Sequence, residues 1–502
     1  MNTKYISGNT VLEIHSWIIL SLIFLIFAFL CNSCSTKANK GTISGSVTLF
    51  NDIPGLYIEN PMDFSGVTVA LYKTAVLDTT LVRINQQYPQ IGVQITQETE
   101  FDHRNFNPLK VTTTDPIGKF SFPSLTPGDY NLVIWKNEWG IRYICSVKAI
   151  ENENNNIGNI ELYPATYYNS AIVSEPTIFK SDHSYFILTD VNFNSSVEFQ
   201  PRTQIFINPG CMLKFYGSVT TPEFTSSRDM WKITSGKEIY STSPVTMDFD
   251  SYFSAVNFYS NEINISSGLI RYGSNGISSF NSNSNNLSYF IISDCNSCIT
   301  FNEGDFYINY LTIQNVNNYG ICCVTDFDRL NLNLLSKCIM YNINNRGVFI
   351  NINGQYEINN CYFININKAI YTRLGDGIIT HNNFENNYYN ICSEYISNQN
   401  NQITYNNFYS SIICIQPTGM INNINFNNFY YTSWWYIWII RNMYPYSLVS
   451  DNVNAKNNYW LFEDVDKYLA DGNDNNEFSI NCLFYINYIP KLYFPVSNAG
   501  IQ

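Results

Sequence analysis

Asn382-Asn383-Phe384, Asn406-Asn407-Phe408, Asn427-Asn428-Phe429 and Asn457-Asn458-Tyr459 repeat one theme, a small polar turn followed by an apolar residue. Upstream, the theme reads Ser293-Asp294-Cys295, Gln314-Asn315-Val316, Lys337-Cys338 and Asn359-Asn360-Cys361, so it runs through Tyr272–Trp460. From Asp294 the steps are 21, 22, 23, 23, 24, 21 and 30 residues, to Asn315, Lys337, Asn360, Asn383, Asn407, Asn428 and Asn458. A second column, Ile277, Ile299, Ile321, Val348, Ile370, Ile391 and Ile412, advances by 22, 22, 27, 22, 21 and 21. The residue before it is usually small: Gly276, Cys298, Gly320, Gly347, Ala369, Ser411. Two columns in phase imply stacked units.

A unit of about two dozen residues suits a coil of three short strands and their turns. Stacking sets equivalent residues about 4.8 Å apart. Asn at one turn can then hydrogen-bond up the stack, and it tolerates the left-handed backbone of a sharp corner. The Ile, Phe and Cys columns fill the interior.

The 502 residues are 45% hydrophobic, 16% aromatic and only 13% charged, which allows two or three domains and excludes wholesale disorder. The net charge is −13, with no Lys/Arg cluster, so nucleic acid is not an expected partner.

Trp17–Leu30 is apolar except for Ser21. It is short for a bilayer span but fits a signal-peptide core. With the following Cys31-Asn32-Ser33-Cys34 it resembles a bacterial lipoprotein signal. The resemblance implies a signal peptide over 1–33, a lipidated Cys34 and a tether over 34–41. It also implies a cell-envelope location, at the outer membrane or cell surface, with the bilayer as partner through that lipid.

From Thr42 to Pro164 short alternating strands are punctuated by turns. Gly45, Gly66-Val67-Thr68-Val69, Gly118-Lys119-Phe120-Ser121-Phe122 and Leu125-Thr126-Pro127-Gly128-Asp129-Tyr130 resemble the carboxypeptidase regulatory-like (transthyretin-like) β-sandwich family. An insertion from Thr74 to Val111 separates its halves. The family implies an accessory spacer or binding module without catalytic residues. Residues 165–190 read as a joint.

Val197–Phe215, with its Pro209-Gly210 corner, and Met230–Ser235 resemble the opening coils of right-handed parallel β-helix proteins, pectate-lyase-like or NosD-like. Asn457-Asn458-Tyr459-Trp460, the acidic stretch after it and Pro490-Lys491-Leu492 resemble the closing coils, with Leu461 where Gly usually follows. The expected architecture is therefore all-β, a β-sandwich over 42–164 followed by a right-handed parallel β-helix over 191–495. Such a fold hosts lyases, hydrolases, epimerases and adhesins alike.

Cys295, Cys338 and Cys361 take inward slots, and Cys298, Cys322, Cys392 and Cys414 fall in or beside the second column. They read as small buried hydrophobes. Cys295-Asn296-Ser297-Cys298 has no second pair at zinc spacing, so no metal centre is expected there.

The paired Asp, Gly-His-Gly and Arg-x-Lys motifs of polygalacturonase-type hydrolases are absent. His381 reads as a turn residue. Asp305, Asp326, Asp328 and Asp376 recur at about coil spacing, with Arg329, Arg346 and Arg373 near them. On one edge, Asp305, Asp326 and Asp328 could hold Ca²⁺, and Asp326, Asp376 and Arg373 could serve proton transfer on a uronate. Gly304-Asp305 and Gly375-Asp376-Gly377 are equally ordinary turn dipeptides. Trp434, Trp435 and Trp438 offer flat faces that stack on sugars, or a cap for the stack. The reading is a surface module that binds carbohydrate or another cell-surface polymer without catalysis or obligatory cofactor. The alternatives are a polysaccharide lyase or hydrolase acting on acidic glycans, and a structural stalk.

Overall fold

The structure, a computed structural model, describes residues 40–52, 63–221, 226–280, 282–324, 332–393, 401–417, 423–430, 432–440, 453–461, 469–472, 478–479, 486–487 and 490–502. Cys34 and the apolar segment before it lie outside the described residues. The chain is all-β, 57% strand and 6% helix, as expected.

Two sheets form the N-terminal unit. One has the order β4-β1-β7 and the other β3-β2-β5-β6. Their strands are β1 (Gly41–Leu49), β2 (Thr68–Lys73), β3 (Lys110–Thr113), β4 (Lys119–Leu125), β5 (Gly128–Lys136), β6 (Gly140–Ala149) and β7 (Asn154–Leu162). Alternation along β1 turns Ile43, Val47 and Leu49 inward against Val69, Leu71, Phe120, Phe122, Leu132 and Ile134. Gly118 sits at φ +80°, and a Cβ there would lie 2.1 Å from the Val47 carbonyl oxygen, so only glycine makes this turn.

A right-handed parallel β-solenoid of about 11 turns spans residues 166–429. The stack starts at Thr166–Tyr168, inside the stretch read as a joint, because these residues pair with Tyr185–Ile187. Each coil gives one strand to each of three faces. Face A carries Trp231–Ser235, Gly268–Arg271, Asn383–Glu385 and Asn407–Tyr409; face B carries Gly273–Ser279, Ser297–Phe301, Tyr319–Val324 and Tyr389–Ser393; face C carries Ser284–Ser288, Asp305–Asn309 and Leu332–Ser336. The second column holds: Ile277, Ile299, Ile321, Val348, Ile370 and Ile391 are successive partners on face B, ending at Ile415 rather than Ile412. The preceding residue is small because its neighbour crowds it. A Cβ on Gly320 or Gly347 would lie 2.5 or 2.6 Å from the next coil's carbonyl oxygen.

The polar-turn column proves to be two columns at different corners. Asp294 and Asn315 follow face A strands and continue to Asn342, Asn365 and Asn386, all at positive φ. Lys337 and Asn360 precede face A strands and continue to His381, Tyr405, Phe426 and Asn457, also at positive φ. The step from Asn315 to Lys337 changes corner. The pattern matched because both corners demand left-handed backbone, which Asn and Asp accept most readily.

The residue after the second corner is the buried one: Cys338, Cys361, Asn382, Asn406, Asn427, Asn458. Each Asn Oδ1 accepts from the coil before it. Asn382 N reaches Asn406 Oδ1 at 2.9 Å, Asn406 N reaches Asn427 Oδ1 at 2.9 Å, and Asn427 N reaches Asn458 Oδ1 at 2.8 Å. Their Nδ2 groups donate to the Ile358, Ile379 and Ile403 carbonyls at 2.8–2.9 Å. Two residues further, Phe363, Phe384, Phe408, Phe429 and Trp460 stack inside, centroids 4.3–5.1 Å apart.

The insertion leaves the sandwich after β2 and runs along the outside of face A; Lys110 and Val111, read as its end, belong instead to β3, paired with Leu71 and Ala70. Its helix α1 (Thr79–Gln87) starts at Asp78, whose Oδ1 accepts from Thr80 N and Leu81 N while Oδ2 accepts from Tyr341 Oη at 2.9 Å. Leu81 and Ile84 press on Ile339, Tyr362 and Ile364. Gly92, at φ +59°, lies so close that a Cβ would meet Ile339 Cδ1 at 2.6 Å. The C-terminal segment approaches the same face from the other end: Gly500 N donates to the Tyr405 carbonyl and Val496 N to Asn428 Oδ1, both at 2.7 Å.

Replacing Asn406 with Ala removes the acceptor of Asn382 and the donor to Ile379 in a fully buried site. The expected loss is about 2–4 kcal/mol, several times that of Asn344→Ala at an exposed corner. Denaturant melts of the two variants check this, and equal midpoints would contradict a stabilising ladder.

Candidate functional site

The acidic residues spread along face C. The strand starting at Asp305 pairs with the one starting at Leu332, Leu332 with Gln355, and Gln355 with Asp376. Asp305 and Asp376 therefore share an edge but stand three rungs apart, about 14 Å at the usual strand spacing. That exceeds the roughly 5–9.5 Å between the carboxyls of glycosidase pairs. Asp305 is buried and Asp376 exposed. Asp326, Asp328 and Arg329 lie outside the described residues, and the residue one coil on from Asp305 is Leu332. Arg373 is exposed, with its guanidinium 5.7 Å from the Phe349 ring centre. Among the described residues no three His, Cys, Asp or Glu side chains group as metal ligands. Trp434, Trp435 and Trp438 belong to the face B strand Thr432–Ile440, where Trp435 pairs in register with Ile413; their side chains lie outside the described residues. His381 stacks on Tyr405 at 5.2 Å, one step of an aromatic ladder that continues to Phe426.

A different cluster stands on the outside of face B. One register column reads Tyr319, Arg346, Lys368, Tyr389, and its neighbour Cys322, Phe349, Tyr371, Cys392. Phe349 and Tyr371 are the floor, 5.5 Å apart. The Arg346 guanidinium carbon lies 4.1 Å from the Tyr371 ring centre, 4.7 Å from Phe349 and 5.4 Å from Tyr319. Lys368 Nζ sits 4.7 Å over Tyr371 and 5.9 Å over Tyr389. Tyr388, 41% exposed, packs on Tyr389 at the far end. Rings supply apolar faces and the cations supply charge, a combination that suits sugars bearing hydroxyl and acidic groups. Of these residues only Arg346, as a basic neighbour of the acids, and Cys322 and Cys392, as small buried hydrophobes, had drawn notice in the sequence. The signal for the rest was present: these residues bracket the small-Ile pair of the second column, one before and one after it.

A buried ionic cluster lies elsewhere, between the insertion and face A. Arg104 donates to Asp102 at 2.8 Å and to the Ser235 carbonyl at 2.6 Å. Arg271 reaches the Thr99 and Glu100 carbonyls, and Lys232 Nζ the Glu98 carbonyl at 2.7 Å. Burial alone would raise the Asp102 carboxyl, but the Arg104 ion pair outweighs it and holds the group below the usual carboxylate range. Burial also lowers the Lys232 ammonium. A small cavity of about 40 Å³ lies among Asp102, Arg104, Tyr143, Lys232 and Arg271. Arg104, Arg271 and Lys232 each donate across the joint between the insertion and face A, so the cluster acts as a latch.

Compared with family models, curated proteins and solved structures, the chain matches none.

The latch sets a pH dependence through His103. Its Nε2 donates to the Ile239 carbonyl (3.0 Å), and in the neutral ring Nδ1 accepts from Tyr143 Oη (2.9 Å). Burial pushes its pKa from 6.5 down to about 4. A base depressed on folding stabilises fully above pH 6.5 and loses that stability as pH falls toward 4. The expected loss is about 3 kcal/mol. Denaturant midpoints between pH 7 and 4.5 should fall more steeply in the natural chain than in His103→Gln; parallel curves would contradict the assignment.

Proposed function

We propose that this chain is an exported bacterial lipoprotein whose β-helix binds a carbohydrate chain at the cell surface without chemical turnover. The observation carrying this reading is the face B cluster of Tyr319, Arg346, Phe349, Lys368, Tyr371 and Tyr389, with rings and cations on successive coils. Parallel strands repeat these groups about every 4.8 Å, close to the advance of one sugar residue along an extended chain, so one polymer can touch several coils. The latched sandwich, with its resemblance to carboxypeptidase regulatory-like domains, serves as a rigid spacer between anchor and helix. The wide spacing of Asp305 and Asp376 favours binding over a lyase or hydrolase built on those two residues.

Two outcomes follow. Tyr388→Ala with Tyr389→Ala should weaken retention on immobilised polysaccharides about tenfold or more, given roughly 1 kcal/mol per stacking ring. Retention equal to the natural chain would remove face B as the site, while release of shortened sugars by the natural chain would favour the enzymatic alternative. Cys34→Ser should move the protein from the detergent phase to the aqueous phase in a Triton X-114 partition of expressing cells. Continued detergent partitioning would overturn lipid attachment at Cys34.

A further inference from the structure

We infer that Arg346 and Lys368 form an oxyanion site, so that the polymer bound on face B carries acidic groups that these two side chains read directly, without a bridging metal ion. The inference rests on the proposed carbohydrate-binding role and names its ligand class.

Arg346 and Lys368 are register partners on adjacent coils. Their backbones are one rung, about 4.8 Å, apart, and like charges directly opposite on paired strands repel. A chain of net charge −13 has acids to spare for neutralising such a pair. Yet among the described residues neither cation forms an ion pair with a carboxylate, whereas Arg83, Arg104, Arg142, Arg202 and Lys180 all do. Among the described residues Arg346 makes one long side-chain hydrogen bond, Nη1 to Tyr319 Oη at 3.4 Å, and its buried Nε finds no hydrogen-bond partner there. A buried guanidinium donor left unpaired costs free energy that a ligand oxygen would recover. The rings beneath hold both cations in place, so little side-chain freedom remains to be lost on binding. Carboxylate and sulfate ester share this chemistry, and the experiment separates them.

Isothermal titration of the full chain with polygalacturonate, dextran sulfate and unmodified dextran tests the inference. At least one of the two polyanions should bind more tightly than dextran, with chelator present, and its affinity should fall about tenfold between 50 and 200 mM salt if two charges are neutralised. Arg346→Gln with Lys368→Gln, which keeps the side-chain stems, should cost about tenfold on the polyanion and flatten the salt response. Lys368→Gln alone should halve the slope. Melting curves matched to the natural chain show that these variants fold. An unchanged salt slope in the double variant, or dextran bound as tightly as the polyanions, overturns the oxyanion site and leaves carbohydrate binding standing. Binding of none of the three by the natural chain overturns both.

Discussion

The structure depends on how one corner of the coil satisfies its buried backbone. At the turns into the later face A strands, from Lys337 to Asn457, the chain bends through positive φ and drives the next residue fully inside. There the backbone N–H faces the neighbouring coil with no water to receive it, an arrangement that is costly unless a side chain supplies the acceptor. Asn carries its acceptor and its donors on separate atoms, so it can accept from one coil and donate to another at once, which is why Asn382, Asn406, Asn427 and Asn458 form a continuous ladder. Cys338 and Cys361 end the ladder in the earlier coils. Their thiols can only donate weakly, to the Ser336 and Asn359 carbonyls at 3.1 Å, and Cys361 N instead takes Asn382 Oδ1. The thiols are thus substitutes for an amide, small enough for a crowded corner, and none is paired as a disulfide among the described residues.

A stack held this way has three outer faces to dispose of, and the sandwich takes one. The sheet β3-β2-β5-β6 is apolar on both sides, one toward β1 and β4 and the other toward Phe186 and Phe206 of the first face A strands. The insertion prolongs that contact over several further coils through Leu81, Ile84, Ile91 and Val93. Apolar burial along its length and ionic pairing near its root make the two units one body, since ion pairs at such a joint fix geometry more than they add stability.

Much of this was legible in the sequence. The Ile column of face B needed no knowledge beyond spacing, because an interior residue repeats strictly when its coil does. Asn corners were legible as a chemistry but not as a place: αL geometry selects Asn at two corners, and periodicity alone cannot tell them apart. The insertion read only as an interruption of the sandwich. Its docking partners, Ile339 and Tyr362, lie more than 200 residues away, and no local pattern encodes that distance. The face B cluster was obscured for a related reason. Tyr319, Arg346, Lys368 and Tyr389 repeat no single residue type from coil to coil, two tyrosines flanking two different cations, so they form a column only once the register is known.

The charge balance constrains how such a cluster would work. With a net charge of −13, the chain as a whole repels an acidic polymer at low ionic strength, and salt screens that repulsion beyond a Debye length, about 10 Å at 0.1 M. Steering toward the site is therefore unfavourable, and the cations act only in contact, where the apolar floor of Phe349 and Tyr371 lowers the local dielectric and strengthens them. Discrimination then falls to the dissociation step, because a segment that fails to present an oxyanion beside Arg346 leaves a buried donor unpaired. A repeat scaffold suits that mode. It cannot draw its ligand from afar, but it can hold several consecutive groups of a polymer at once, and each added coil in register multiplies the residence time rather than the rate of encounter.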